Sequence, residues 1–265
     1  MMRSKFFGTI ALALFPSAWA AAQVTTPPVG IGRFSDASVR NVYGLPQNLI
    51  VDSNTLGSFD AASFSDHAGL LAANGHIQLV QPDFTVVGEY DSAESNVLLN
   101  VDAGPDSAIA WLPASQSLVH WDGTQFIATA VNGLDPSLRA TAVRVQHRRK
   151  AQLLLVDSGG SVFEAGISLK TGDVLSLRVL PGVYGNAFWQ GSDVLFEDAS
   201  GLERMTSDGS VQTIGATAQD ASFSRISSSW ILVTSSSQGR TWALHIGGGD
   251  VSLSELPAVP SQVSQ

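Results

Sequence analysis

Short apolar runs separated by tight turns recur along most of this chain, and they recur in groups. Five times a run is followed by a turn, a second run, another turn and a third run. The second strand-like segment of each group starts near Leu70, Ile109, Leu153, Val194 and Ile231, so the steps between groups are 39, 44, 41 and 37 residues. Runs of this length, bounded by Gly, Asp, Asn and Ser, read as strands rather than helices. The first full group predicts strands near 61–65, 69–73, 76–81 and 85–90, and the second near 97–103, 107–112, 117–121 and 125–131. The third predicts 140–146, 151–156, 161–167 and 174–180, and the fourth 185–189, 193–197, 202–206 and 210–214. The fifth predicts 221–226, 229–234, 240–246 and 251–256. Asn74-Gly75, Asp122-Gly123 and Asp208-Gly209 are strong hairpin signals, because both positions tolerate positive φ.

A period near 40 built from β segments predicts an all-β chain folded as a β-propeller, one four-stranded blade per repeat. Residues 33–59 do not make a full group; Arg40–Gly44 and Gln47–Asp52 read as two strands of a further blade. Six blades over residues 33–257 is the expectation, with five or seven as alternatives and a β-sandwich as the competing fold. Residues 21–32 read as a linker or a closing strand, since Pro27-Pro28 and Gly30-Ile31-Gly32 oppose a central strand. The segment 28–35 or the tail after Pro257 is expected to supply the missing strand, and 258–265 is expected to be mobile.

The N-terminus carries an address. Arg3 and Lys5 precede an apolar stretch from Phe6 to Phe15, then Pro16 and the small-residue site Ala18-Trp19-Ala20. This is the pattern of a secretory signal peptide, with cleavage expected after Ala20, and the apolar stretch is too short to span a bilayer. The expected location is secreted or periplasmic, with no membrane-spanning segment afterwards. The chain has no Cys, which excludes disulfides, thiolate metal sites and thiol nucleophiles. It has 14 basic and 23 acidic residues, and residues 1–20 contain two of the basic ones, so the mature net charge is 12 − 23 = −11. That balance opposes nucleic acid or an anionic membrane as partner.

Leu118-Val119-His120-Trp121-Asp122 looks like the strand ending that names the WD40 repeat. It occurs once; Phe163 and Trp242 stand at corresponding positions without the following Asp, and the Gly-His signature is missing. The chain resembles the β-propeller repeat proteins in general over roughly residues 33–257, and the irregular propellers of secreted bacterial proteins more than intracellular WD40 domains. The resemblance implies a binding platform around a central channel and carries over no functional residue.

Two charged groups stand out as candidate binding residues. Arg144, His147, Arg148, Arg149 and Lys150 form the densest basic cluster, between the first and second strands of the third full group. Arg presents a planar donor fork suited to a carboxylate, a phosphate or an acidic partner. Asp157, Glu197 and Asp198 lie near turns between second and third strands, with Asp91, Glu94 and Asp135 in the loops joining blades. The register predicts the acidic set on one face of the ring and the basic cluster on the other.

The five His residues show no metal-ligand spacing, and no calcium loop, nucleophile elbow or dinucleotide fingerprint is present. No metal, cofactor or catalytic residue is therefore expected. Trp111, Trp121, Trp189, Trp230 and Trp242 fall at strand positions and are expected to fill the space between blades. The starts of the inner strands are small or apolar, which favours a structural channel. The expected function is an exported, non-catalytic scaffold that binds a protein or a small molecule through its loops. The alternative is a lyase or hydrolase with a site at the channel built from several blades.

Overall fold

In a computed structural model, which describes residues 26–147, 149–215, 220–247 and 250–258, the strands form six separate antiparallel sheets, each from one contiguous stretch of chain. Blade 1 holds β1 (Pro28–Arg33), β2 (Ser38–Leu45), β3 (Asn48–Val51) and β4 (Gly57–Ser58). Blade 2 holds β5 (Ala61–Phe64), β6 (Gly69–Ala73), β7 (His76–Val80) and β8 (Val86–Asp91). Blade 3 holds β9 (Leu98–Asn100), β10 (Ile109–Leu112), β11 (Ser117–Trp121) and β12 (Phe126–Ala130). Blade 4 holds β13 (Arg139–His147), β14 (Lys150–Val156), β15 (Ser161–Ser168) and β16 (Val174–Tyr184). Blade 5 holds β17 (Ala187–Gln190), β18 (Asp193–Asp198), β19 (Gly201–Met205) and β20 (Val211–Gly215). Blade 6 holds β21 (Ala221–Arg225), β22 (Trp230–Ser235), β23 (Arg240–Gly247) and β24 (Asp250–Glu255). The protein is a six-bladed β-propeller.

The second strand of a blade is covered on both faces by its neighbours, which is why it reads as an unbroken apolar run. In β14, Leu153, Leu154 and Leu155 are all fully buried. Side chains alternate across a strand, so Leu154 packs with Trp189 and Phe196 of blade 5, while Leu153 and Leu155 pack with Ile109 and Leu118 of blade 3. The outer strands β8, β12, β16 and β20 are mostly exposed or half-buried. All five Trp residues expected between blades are buried. Asn74 and Gly75 both take positive φ, 53° and 81°, as the hairpin signal requires.

Two elements depart from their expected lengths. β9 ends at Asn100, because the next residues fold around a single 3-10 turn, Pro105–Ser107. There the Ser107 hydroxyl accepts from the N–H groups of Asp102, Ala103 and Gly104 at 3.0, 3.1 and 3.3 Å. β16 runs on to Tyr184, with a register shift between Ser161 and Phe163 of β15 that absorbs Pro181 and Gly182.

Blade 1 is built differently. β1 pairs with β2, and β2 is flanked on its other side by β3 and then β4, so the blade is three strands deep. The inner strands of blades 2 to 6 all begin around one cavity on the ring axis. β1 ends there instead: Arg33 lies beside Phe59 and Asp60, while Gly30 lies beside Ile226 at the far end of β21. β1 therefore runs opposite to the other five inner strands. The segment read as a linker or closing strand is the inner strand of blade 1.

The ring closes through β1 on blade 6. The Ile31 N–H donates to the Ile226 carbonyl at 3.1 Å, and Val29, Phe34 and Val42 share a core with Trp230, Leu232 and Ala243. The two glycines that argued against a strand are what permit the contact. A Cβ on Gly30 would stand 2.2 Å from the Ile226 oxygen, and one on Gly32 would stand 2.4 Å from Leu232 Cδ1.

Candidate functional site: the central cavity

The face of the ring where β5, β9, β13, β17 and β21 begin is called the upper face here; the face where they end is the lower. On the axis beneath the upper face is a cavity of about 290 Å³. Its walls are the small strand starts anticipated from the sequence, among them Ala61, Ala62, Thr141 and Ser222. Phe188 and Phe223 also line it, with ring centroids 6.1 Å apart and planes 22° from parallel. Exposed Asp60 and Ser236 mark the mouth, and buried Ala142, Val143 and Phe188 lie deeper.

Two charged residues join this lining, both supplied by blade 1 and its connection to blade 2. Arg33 is half-buried; its Nε donates to the Phe59 carbonyl at 2.6 Å. Among the described residues its two terminal nitrogens have no hydrogen-bond partner. Burial pulls the guanidinium below its usual pKa, opposed by the charges of Asp60 and Asp36. Asp60 has no side-chain hydrogen bond or ion pair within 4 Å among the described residues, so the two opposite charges feel one another without neutralising one another. The hydroxyls of Ser35 and Ser224, which also line the cavity, have no hydrogen-bond partner among the described residues. The sequence reading missed Arg33 and Asp60. Neither lies in a motif, and the reversed direction of β1 is what carries Arg33 to this end of the axis.

Below the cavity charged side chains from three blades, with neutral partners from a fourth, meet across the axis. Arg225, at the end of β21, pairs with Asp102 in the loop after β9, Nη2 to Oδ1 at 2.8 Å. Its Nη1 donates to Gln190 Oε1 at 2.8 Å, and Nη2 also donates to the Trp189 carbonyl at 3.0 Å. Arg225 is 3% exposed, and its Nε is buried without a partner among the described residues. Arg144 lies 4.3 Å from the centre of the Trp189 ring and donates to Gln152 Oε1 and the Gly191 carbonyl, both at 2.7 Å. Burial lowers the pKa of both arginines, and Asp102 opposes the shift at each. The exposed lining residues of the cavity, Asp60 and Ser236, place its opening at the upper face.

The basic cluster read from the sequence is thereby divided. Arg144 turns inward onto Trp189, while His147, Arg149 and Lys150 stay exposed at the β13–β14 hairpin on the lower face; Arg148 lies outside the described residues. Asp157, Glu197 and Asp198 lie at the opposite ends of β14 and β18, on the upper face. The lower face is not purely basic, since Asp102 and Asp193 stand there as well.

The acidic residues are occupied with their own turns. Asp157 Oδ1 accepts from the N–H groups of Gly159 and Ser161, both at 2.9 Å. Asp198 Oδ1 accepts from Ser200 at 2.6 Å. Glu197 reaches the next blade and accepts from the Ala221 N–H at 2.8 Å; burial pushes its carboxyl above the usual range, and nearby Asp220 adds to the shift. These contacts anchor turns and join blades 5 and 6.

Among the described residues one further cluster brings together metal-ligating atoms. His76 Nδ1 lies 2.9 Å from Asp91 Oδ1 and 3.2 Å from Glu89 Oε1 on the exposed surface of blade 2. The three residues could hold a cation, although a cross-strand hydrogen bond from the imidazole Nδ1–H to the carboxylates gives the same geometry. His120 is half-buried on β11, its Nδ1 unpartnered among the described residues, and burial lowers its pKa.

No protein-family model matches the chain, and no curated protein matches it. Some solved structures resemble it at low identity. Hydrazine synthase of Kuenenia stuttgartiensis is 9% identical, with 87% of this chain and 80% of that chain covered at a TM-score of 0.44. The Dos1 propeller is 10% identical, with 83% and 69% covered at 0.42. PorZ, a surface component of the type-IX secretion system of Porphyromonas gingivalis, is 11% identical, with 88% of this chain and 38% of that chain covered at 0.44.

Proposed function

We propose that the protein is an exported, non-catalytic binding scaffold, of the irregular propeller type found among secreted bacterial proteins, and that its ligand seat is the cavity at the upper face. The observation that carries this reading is the pair Arg33 and Asp60: opposite charges at the mouth of a hydroxyl-lined cavity, each with hydrogen-bonding capacity unused among the described residues. Polar groups left unpaired in a concave site are held in readiness for a partner that pairs them. Export is supported by the basic, apolar and small-residue pattern of residues 1–20, and a non-nucleic-acid partner by the mature net charge of −11, from 12 basic and 23 acidic residues.

The test is crosslinking of the tagged protein in its native envelope or culture fluid, followed by mass spectrometry and N-terminal sequencing. A mature chain starting at Ala21, with a reproducible partner or co-purified small molecule mapped to the upper face, is the expected result. A cytoplasmic chain that retains Met1–Ala20 would overturn the export reading. Turnover of a captured small molecule would overturn the non-catalytic one.

A further inference from the structure

We infer that the cavity takes a small zwitterion with an apolar body, of the amino-acid class; this rests on the cavity being the ligand seat. A simple anion entering beside Arg33 would face the Asp60 carboxylate, and a simple cation entering beside Asp60 would face the Arg33 guanidinium. A molecule carrying both an ammonium and a carboxylate satisfies both, and each pairing is a charge-assisted hydrogen bond. The Arg33 fork is already oriented, because its Nε is held by the Phe59 carbonyl and its terminal nitrogens have no partner among the described residues. Ser35 and Ser224 add hydroxyl groups that can donate or accept.

The rest of the molecule would meet the Phe188 and Phe223 rings, which line the same cavity and pack on one another at 6.1 Å. These rings favour an aliphatic or aromatic side chain over a charged one, since a carboxylate there would lose water without gaining a partner and a cation would meet the Arg225 guanidinium, 5.6 Å from the Phe188 ring centre. A volume of about 290 Å³ accommodates an amino acid and excludes a folded partner. The exposed lining residues Asp60 and Ser236 lie at the upper face, so the ligand enters and leaves there. Arg225, although buried and cationic, is already engaged by Asp102, Gln190 and the Trp189 carbonyl, which leaves Arg33 as the group that reads the carboxylate.

Titration calorimetry on the mature chain tests this with L-phenylalanine and L-leucine as probes. Their counterparts are 3-phenylpropionate, which lacks the ammonium, and phenethylamine, which lacks the carboxylate. The expected result is saturable binding of at least one amino acid, with both counterparts weaker by roughly tenfold or more. Arg33→Gln and Asp60→Asn should each weaken the amino acid by about the same factor, and Arg33→Lys should restore part of the loss. Asp60 is exposed, so Asp60→Asn remains informative even if Arg33→Gln fails to fold. Equal binding of 3-phenylpropionate and L-phenylalanine, indifference to Asp60→Asn, or no binding of either amino acid would each overturn the inference. Failure here alongside a protein crosslinked to the joining loops would leave the scaffold reading intact. Binding of the amino acid with release of a product would keep the ligand class and overturn the non-catalytic reading.

Discussion

Arg225 of blade 6 pairs with Asp102 of blade 3 across the axis of the ring, Nη2 to Oδ1 at 2.8 Å. The two partners are unequally buried: the arginine is 3% exposed and the aspartate 33%. Removing the carboxylate leaves a buried cation with only neutral acceptors, whereas removing the guanidinium leaves a carboxylate that water can reach. Asp102→Ala is therefore expected to cost about 3 kcal/mol. Arg225→Met should cost less, about 1–2 kcal/mol, since a long apolar side chain refills most of the space. Urea denaturation of both variants checks the order, and a larger loss for Arg225→Met would refute this reading of the pair.

Closure of the ring rests on the two glycines of β1. The Cβ of Gly30→Ala would meet backbone, the Ile226 oxygen at 2.2 Å, which cannot move without shifting β21. The Cβ of Gly32→Ala would meet the end of the Leu232 side chain at 2.4 Å, which can turn aside. The expected costs are about 3 kcal/mol for Gly30→Ala and about 1 kcal/mol for Gly32→Ala. Thermal unfolding of the two variants, compared with the parent protein, measures the difference.

Gly88 of β8 lies under Trp121 of blade 3, and a Cβ there would stand 2.2 Å from the indole Cζ3. Gly88→Ala must push the ring outward and part the outer strands of blades 2 and 3. Because Trp121 is buried among apolar neighbours, its displacement is expected to shift the tryptophan emission to longer wavelength, with a destabilisation of about 1–3 kcal/mol. An unchanged spectrum would place the strain elsewhere.

Two carboxylates give pH dependences of opposite sign. Burial raises the folded-state pKa of Glu197 above its ordinary 4.5. In the window above 4.5 the folded chain then binds more protons at this site than the unfolded chain. Its contribution to stability therefore falls as pH rises through that window. Asp208 is the reverse case. The Thr206 hydroxyl bonds it at 2.5 Å, Ser210 bonds it through both N–H and hydroxyl, and its pKa is lowered to about 2. Its contribution is present above 3.8 and is lost as pH falls toward 2. Stability measured from pH 2 to 7 should lose the upper-window decline in Glu197→Gln and the acid-side loss in Asp208→Asn.

The period of the blades, the hairpin turns and the buried second strands were legible in the sequence because each is set by neighbours close along the chain. Asn74-Gly75 makes its turn from its own φ preferences. The run Leu153-Leu154-Leu155 announces a strand covered on both sides wherever in the ring it sits. The inter-blade role of the five Trp residues followed from the same local logic of size and strand position. What the tertiary structure decided involves residues brought together from distant parts of the chain. β1 runs against the other inner strands because Gly30 and Gly32 let it pack on Ile226 and Leu232, nearly 200 positions away, and that reversal delivers Arg33 to the cavity beside Asp60. Arg144 left its basic neighbours because the Trp189 ring and the Gly191 carbonyl of the next blade offered it partners at 4.3 and 2.7 Å. Contacts of that kind have no local period, since their energy comes from surfaces that exist only once the ring has closed.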